Sequence, residues 1–147
     1  DFDDHYTYAN LLVNSNYKYF VEQWVPELSN HKIVMICSKN ADLSNLPFEV
    51  TKDFRVGTNC IVNDHHLIEE ISTWIESNKI TNHVFLLSAS SLSEILIHNL
   101  FKNHDQNTYI DIGTTLHKYL NLSLKRGYLQ GYWQNLPHPS LTTSCND

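Results

Sequence analysis

Apolar residues in this chain fall into two kinds of run, one short and continuous, the other spaced at three and four positions. Lys32-Ile33-Val34-Met35-Ile36-Cys37 and His83-Val84-Phe85-Leu86-Leu87 are continuous and rich in bulky side chains, the pattern of strands covered on both faces. Thr108-Tyr109-Ile110-Asp111-Ile112 reads as another strand, closed by Gly113. Phe48 to Val56 is a weaker extended segment in which Phe48, Val50 and Phe54 alternate imperfectly with polar neighbours before Gly57 breaks it. Helical spacing appears in Leu67, Ile68, Ile71, Trp74 and Ile75, ending near Asn78, and again in Leu92, Ile95, Leu96 and Leu100. Asp64 or its neighbour is expected to cap the first of these helices. Ser90 or Ser91 is expected to cap the second, with Ser91 and Glu94 spaced as a capping box. Thr114 or Thr115 should open a short helix carrying Leu116, Tyr119 and Leu120. Near the start, Leu11, Leu12, Tyr19, Phe20 and Trp24 suit one helical face from about Asn16, and Pro26 limits its length.

Strand, turn and helix therefore recur, which predicts an α/β fold: a Rossmann-like, mainly parallel sheet with helices on both faces. Ligands of such sheets bind beyond the carboxyl ends of the strands. No fixed-period repeat and no Gly/Ser- or Pro-rich linker divides the chain, so residues 1–135 read as one α/β domain and 136–147 as a flexible tail. Tyr128, Tyr132 and Trp133 are expected to pack against the sheet rather than to meet a sugar ring.

Composition narrows the partners. With 41% apolar and 18% charged residues the balance is that of a folded domain, not of a disordered chain. The net charge is −6 and the ten basic residues are scattered, so no cationic stripe is present to neutralise a run of phosphates and nucleic acid is not an expected partner. Apolar runs fall far short of the roughly 20 residues of a membrane span. Asp1, Asp3 and Asp4 are the opposite of a basic signal-peptide start, and the lack of an initiator Met points to a segment of a longer chain. Cys37, Cys60 and Cys145 form no CxxC and leave one thiol over in any pairing, which fits a reducing, cytoplasmic compartment. Cys37 reads as a small core residue.

Candidate chemistry gathers at the predicted strand ends. Ser88-Ala89-Ser90-Ser91 lies between a strand end and a helix start, where free amides and the helix dipole attract phosphate or carboxylate; capping without a ligand is the alternative. The turn lacks both GxGxxG and GxxxxGK[ST]. Asp111 places a carboxylate at the same edge, next to a glycine that permits close approach. It can hold a ribose hydroxyl, a metal ion or an acceptor hydroxyl, or simply bond the amides of its own turn. Asp64-His65-His66 resembles the triplet of the DHH phosphoesterases, though at a helix start it also reads as a cap followed by two polar residues. The remaining histidines show neither HxxxH nor HxH spacing, no serine sits in GxSxG, and Cys37 has no evident base. Arg126 can clamp a phosphate or remain a solvated surface residue.

Leu86-Leu87-Ser88-Ala89-Ser90, then Ile110-Asp111-Ile112-Gly113-Thr114-Thr115-Leu116, then Arg126-Gly127-Tyr128 together resemble the carboxyl-terminal half of GT-D-type glycosyltransferases. That group reads approximately L-x-S-x-G, I-D-x-G-S-x-L-D and R-x-Y in the same order, and the similarity spans about Tyr17 to Tyr128. The resemblance implies a sheet that binds a nucleotide-sugar donor, usually with a divalent cation (Mn or Mg), and passes the sugar to the hydroxyl of a glycan or other acceptor. By position it implies Ser88, Ser90 and Ser91 beside the donor, Asp111 as the catalytic carboxylate with Gly113 and Thr114 around the sugar, and Arg126 near the phosphates. Three departures stand out: Ser90 replaces the family's glycine, His117 stands where its second acid is expected, and its early R-x-G-D-G-E segment has no counterpart. A non-catalytic carbohydrate- or protein-binding module, or a metal-dependent phosphoesterase built on Asp64 and His65, are the alternative functions.

Overall fold

The computed structural model describes residues 10–134, all of whose elements pack on one sheet. The expected tail and the acidic start at Asp1, Asp3 and Asp4 lie outside the described residues. Four strands, β1 (Lys32–Ser38), β2 (Val50–Val56), β3 (His83–Leu87) and β4 (Thr108–Asp111), form an all-parallel sheet in the order β2-β1-β3-β4. The α/β, Rossmann-like class read from the sequence is the class observed.

β1 lies inside the sheet, and Ile33 to Cys37 are completely buried, as their unbroken apolar run requires. Side chains alternate across it. Val34 and Ile36, with Phe85 and Leu87 of β3, face the helices Leu67–Asn78 and Leu92–Asn103, which bury Leu67, Ile71 and Ile75 and then Leu92, Leu96 and Leu100 against them. Ile33, Met35 and Cys37, with Leu86, face a helical run at 14–28, the segment containing Ala41 and Phe48, and the helix Gly127–Trp133. Each fully buried Leu or Ile contributes roughly 1.5–3 kcal/mol relative to exposure. Cys37 is a core residue, and burial pushes its thiol up to about 11.

The β1-to-β2 connection carries only a short 3-10 turn, Leu43–Asn45. Arg55 does the fastening there: its guanidinium donates to the carbonyls of Ser38 (3.0 Å) and Ala41 (2.6 Å) while pairing with Asp53. The run at 14–28 passes Pro26 by two residues. A π-helical stretch, Phe20–Trp24, precedes Val25–Leu28, the amide of Val25 bonding back to Phe20, so the proline enters in the first turn of a new helical piece where no donor is needed.

One expectation is corrected here. No helix forms around Leu116, Tyr119 and Leu120; these residues are buried or half-buried, but the chain is a series of turns. Of its backbone bonds, Thr115 to Ile112, His117 to Thr114 and Asn121 to Lys118 span three residues, and Asn121 ends the segment in a left-handed conformation (φ 54°). The carbonyl of Thr115 is taken instead by the hydroxyl of Tyr17 at 2.7 Å. The segment after Arg126, for which the sequence pattern gave no element, is a helix, Gly127–Trp133. Its aromatic residues do pack on the sheet side: Tyr128 is buried, Tyr17 meets Tyr128 and Tyr132 edge-on, and the indole of Trp133 donates to the hydroxyl of Tyr17 at 2.9 Å. No helix among the described residues is long and apolar enough to cross a membrane.

Lys79 follows Asn78 in a left-handed conformation (φ 52°), with the amide of Ile80 bonded to Ile75 and that of Lys79 to Glu76, the two bonds of a Schellman motif. Lys79→Gly is expected to raise stability by up to about 1 kcal/mol, read as a higher urea midpoint at unchanged m-value. Tyr17→Phe leaves the Trp133 indole and the Thr115 carbonyl unpartnered, and is expected to cost roughly 1–3 kcal/mol by the same measurement.

Candidate functional site

The chain leaves β1 toward β2 and leaves β3 toward β4, so the connections diverge above the neighbouring ends of β1 and β3. This is the crevice that open α/β sheets use for ligands. A cavity of about 310 Å³ lies there, walled by Val56, Gly57, Asn59, Cys60 and Ile61 after β2 and by Ser88, Ala89 and Ser90 after β3. The Cys60 thiol donates across it to the Ala89 carbonyl at 3.2 Å. Asn59 (φ 55°) and Ser90 (φ 52°), one on each wall, are both left-handed. Ser90, standing where the glycosyltransferase pattern has glycine, thus takes a conformation that glycine favours.

Ser91 occupies the residue before the Leu92–Asn103 helix, but makes no capping bond. The capping box with Glu94 is absent because the left-handed Ser90 already delivers Ser91 in helical geometry (φ −60°, ψ −19°), whereas a capping side chain needs an extended backbone. Ser93, buried one turn in, accepts instead from the amide of Ala89 at 3.0 Å. The hydroxyls of Ser90 and Ser91 have no partner among the described residues and both residues are exposed. Asp64 likewise does not cap its helix: its carboxylate accepts from the amide of Gly57 at 3.0 Å, tying the loop after β2. His65 bonds the Ile61 carbonyl at 2.5 Å, and His66 lies 4.0 Å from Glu70. The structure therefore gives Asp64 and His65 partners in their own loop.

Of the other expected residues, Ser88 is on the cavity wall, while Asp111, Gly113, Thr114 and Arg126 do not line it. Ser88 donates its hydroxyl to the carbonyl of Gly113 at 2.7 Å, joining the turns after β3 and β4. Asp111 accepts from the amide of Gly113 at 2.9 Å, and Gly113 is left-handed (φ 50°), which this tight turn requires. Asp111 is exposed, yet partial desolvation raises its carboxyl above the usual range; the Gly113 amide opposes this and Glu94 adds to it. The Thr114 hydroxyl is hydrogen-bonded to that of Tyr128. Arg126 sits exposed at the start of the last helix, and its guanidinium makes no ion pair or hydrogen bond among the described residues.

His117 is half-buried in the turn that follows. Its main-chain amide bonds the Thr114 carbonyl at 3.0 Å, and its Nδ1 bonds the Ser123 carbonyl at 2.9 Å. Desolvation is the main cause that pushes its imidazole below the usual range; the Ser123 bond opposes it and the positive charge of Arg126 reinforces it. The implied divalent cation does not fit these residues. Asp111 and Glu94 supply two carboxylates, and among the described residues no group of three or more His, Cys, Asp or Glu is placed to hold a metal ion.

Cys60, Asn59 and Gly57 form a wall that sequence reading missed. The only signal was Gly57, which ended the second strand, followed by an asparagine tolerant of left-handed geometry. No family model, curated protein or solved structure matches this chain.

Because the fold disfavours the imidazolium of His117, the unfolded chain binds more protons between the depressed folded pKa and the ordinary value near 6.5. Stability contributed by this group is therefore present above about pH 6.5 and lost as pH falls through the folded value. Urea midpoints measured from pH 7.5 to pH 5 should drop more steeply for the wild type than for His117→Asn.

Proposed function

We propose that this domain binds a nucleotide-sugar donor at the carboxyl edge of its sheet and transfers the sugar to an acceptor hydroxyl, as a glycosyltransferase of the GT-D type. The observation that carries the reading is the convergence of the three segments that resemble that family. Ser88 of the first bonds Gly113 of the second, and Thr114 of the second bonds Tyr128 of the third, although they are separated by 25 and 14 positions in the chain. Residues brought together in this way share one edge of the sheet, beside a cavity at its switch point.

The chemistry available there suits such a ligand. The uncommitted hydroxyls of Ser90 and Ser91 and the unpaired guanidinium of Arg126 are donors for a diphosphate. Asp111 keeps one carboxylate oxygen for Gly113 and has another for a sugar or acceptor hydroxyl. Because Asp111 and Glu94 do not complete a cation site, the reading assigns the diphosphate to these donors and routes no step through manganese or magnesium. The two described cysteines, Cys37 and Cys60, are free thiols, which suits the reducing cytoplasm. The same scarcity of acids favours a second reading, a binding module that holds the nucleotide sugar without turning it over.

Thermal melts against a panel of nucleotides and nucleotide sugars, with and without manganese, test the donor site. A ligand at a hundred times its Kd stabilises the folded state by about 2.7 kcal/mol. A selective shift is expected, weakened in Arg126→Ala. Asp111→Asn should keep that shift while losing on the order of 100-fold or more in sugar transfer. Absence of a shift from every nucleotide sugar would refute donor binding; a shift with no transfer to any acceptor would select the binding module.

A further inference from the structure

His117 carries an inference that rests on the donor reading and extends it. A carbonyl oxygen can only accept, so the 2.9 Å contact between Nδ1 and the Ser123 carbonyl requires the proton to be on Nδ1. In the neutral ring the lone pair is then on Nε2, which has no hydrogen-bond partner among the described residues. The ring is oriented by that bond, while the bond from the main-chain amide of His117 to the Thr114 carbonyl fixes its backbone in the segment that follows Asp111 and Gly113. The residue is only half-buried, so Nε2 is within reach of a ligand.

We propose that His117 is the general base of the transfer, its Nε2 taking the proton of the acceptor hydroxyl. As that proton leaves, the acceptor oxygen forms its bond to the anomeric carbon of the donor. The bond from that carbon to the diphosphate oxygen breaks, and its electron pair departs with the nucleoside diphosphate. His117 ends the step as an imidazolium and returns its proton to solvent. A base must be unprotonated at the working pH and fixed in the right tautomer. Both conditions hold here: the Ser123 carbonyl fixes the tautomer, and Arg126, the charged group that bears on the ring, opposes its protonation together with desolvation. Asp111 then has a different task, orienting a hydroxyl through the carboxylate oxygen not used by Gly113.

The test combines nitrogen-15 NMR of the histidine rings with assays on UDP-glucose, UDP-galactose and UDP-N-acetylglucosamine, using His117→Asn, whose side-chain amide can still donate to the Ser123 carbonyl. The expected spectrum places the proton of neutral His117 on Nδ1, with titration below pH 6.5. Release of UDP from the bound donor should rise with pH through that same midpoint. His117→Asn should retain the donor's thermal shift, lose at least about 100-fold in turnover, and lose the rising limb of the pH profile. A ring protonated on Nε2 overturns the proposal, and so does His117→Asn turning over at the wild-type rate with the limb intact. If neither these three sugars nor any other nucleotide sugar of the panel shifts the wild-type melt, the donor reading fails and the base falls with it; a shift that persists while turnover ignores His117 overturns the base alone.

Discussion

The hydroxyl of Tyr17 is the point on which the carboxyl edge depends. It donates to the carbonyl of Thr115 and accepts from the indole of Trp133, partners 98 and 116 positions away in the chain. Burial raises its pKa, so the phenol stays protonated and both bonds persist through the physiological range. Three segments thereby share one polar atom inside an otherwise apolar cluster. Thr114, His117, Arg126 and Tyr128 all lie on two of them. A buried polar network is worth keeping only when every member is satisfied, and here the phenol supplies both a donor and an acceptor where each is wanted.

Around that anchor the site has a division of labour that follows from the sheet. The cavity at the switch point has no carboxylate, imidazole or guanidinium in its wall, while Asp111 and His117 flank the turn after β4, Arg126 precedes the last helix and Glu94 is on the Leu92–Asn103 helix. The link between these halves is the bond from Ser88 to the Gly113 carbonyl. Their charges are also balanced against each other. Desolvation, with a smaller contribution from Glu94, raises Asp111, and desolvation, with a smaller contribution from Arg126, lowers His117, so the usual gap between acid and imidazole is narrowed from both sides.

What could be read from the sequence is what local pattern dictates. β1 and β3 are unbroken apolar runs because both their faces are covered, and the helices over one face keep strict apolar spacing because each packs along a single stripe. What could not be read is what distant contacts decide. Leu116, Tyr119 and Leu120 have helical spacing, yet Tyr17 takes a carbonyl that a helix would need. Gly127 and Gly131 are poor helix formers, yet both are buried in a helix. The expected caps are absent because Asp64 gives its carboxylate to the Gly57 amide, and because Ser93, not Ser90 or Ser91, meets the Ala89 amide at the next helix. Of the site, Ser88, Asp111 and Gly113 were legible as strand-end residues, whereas the Cys60 wall depends on how the loop after β2 folds over.

The uneven covering of the sheet has a consequence for the order in which the molecule can be made. On one face, both helices follow closely in sequence on β2 and β3, so that layer needs little beyond Asn103 other than Tyr109 of β4. On the other, the run at 14–28 must wait for Tyr128, Tyr132 and Trp133, the last aromatic residues described. During synthesis, which proceeds from the amino end at about 5–20 residues per second, Ile33 and Met35 emerge several seconds before the segment that completes their cover. The half-built protein is thus one-sided, with a greasy face whose protection depends on Tyr128 to Trp133 leaving the ribosome, and a nascent chain stalled before Tyr128 is the form a chaperone would have most reason to hold.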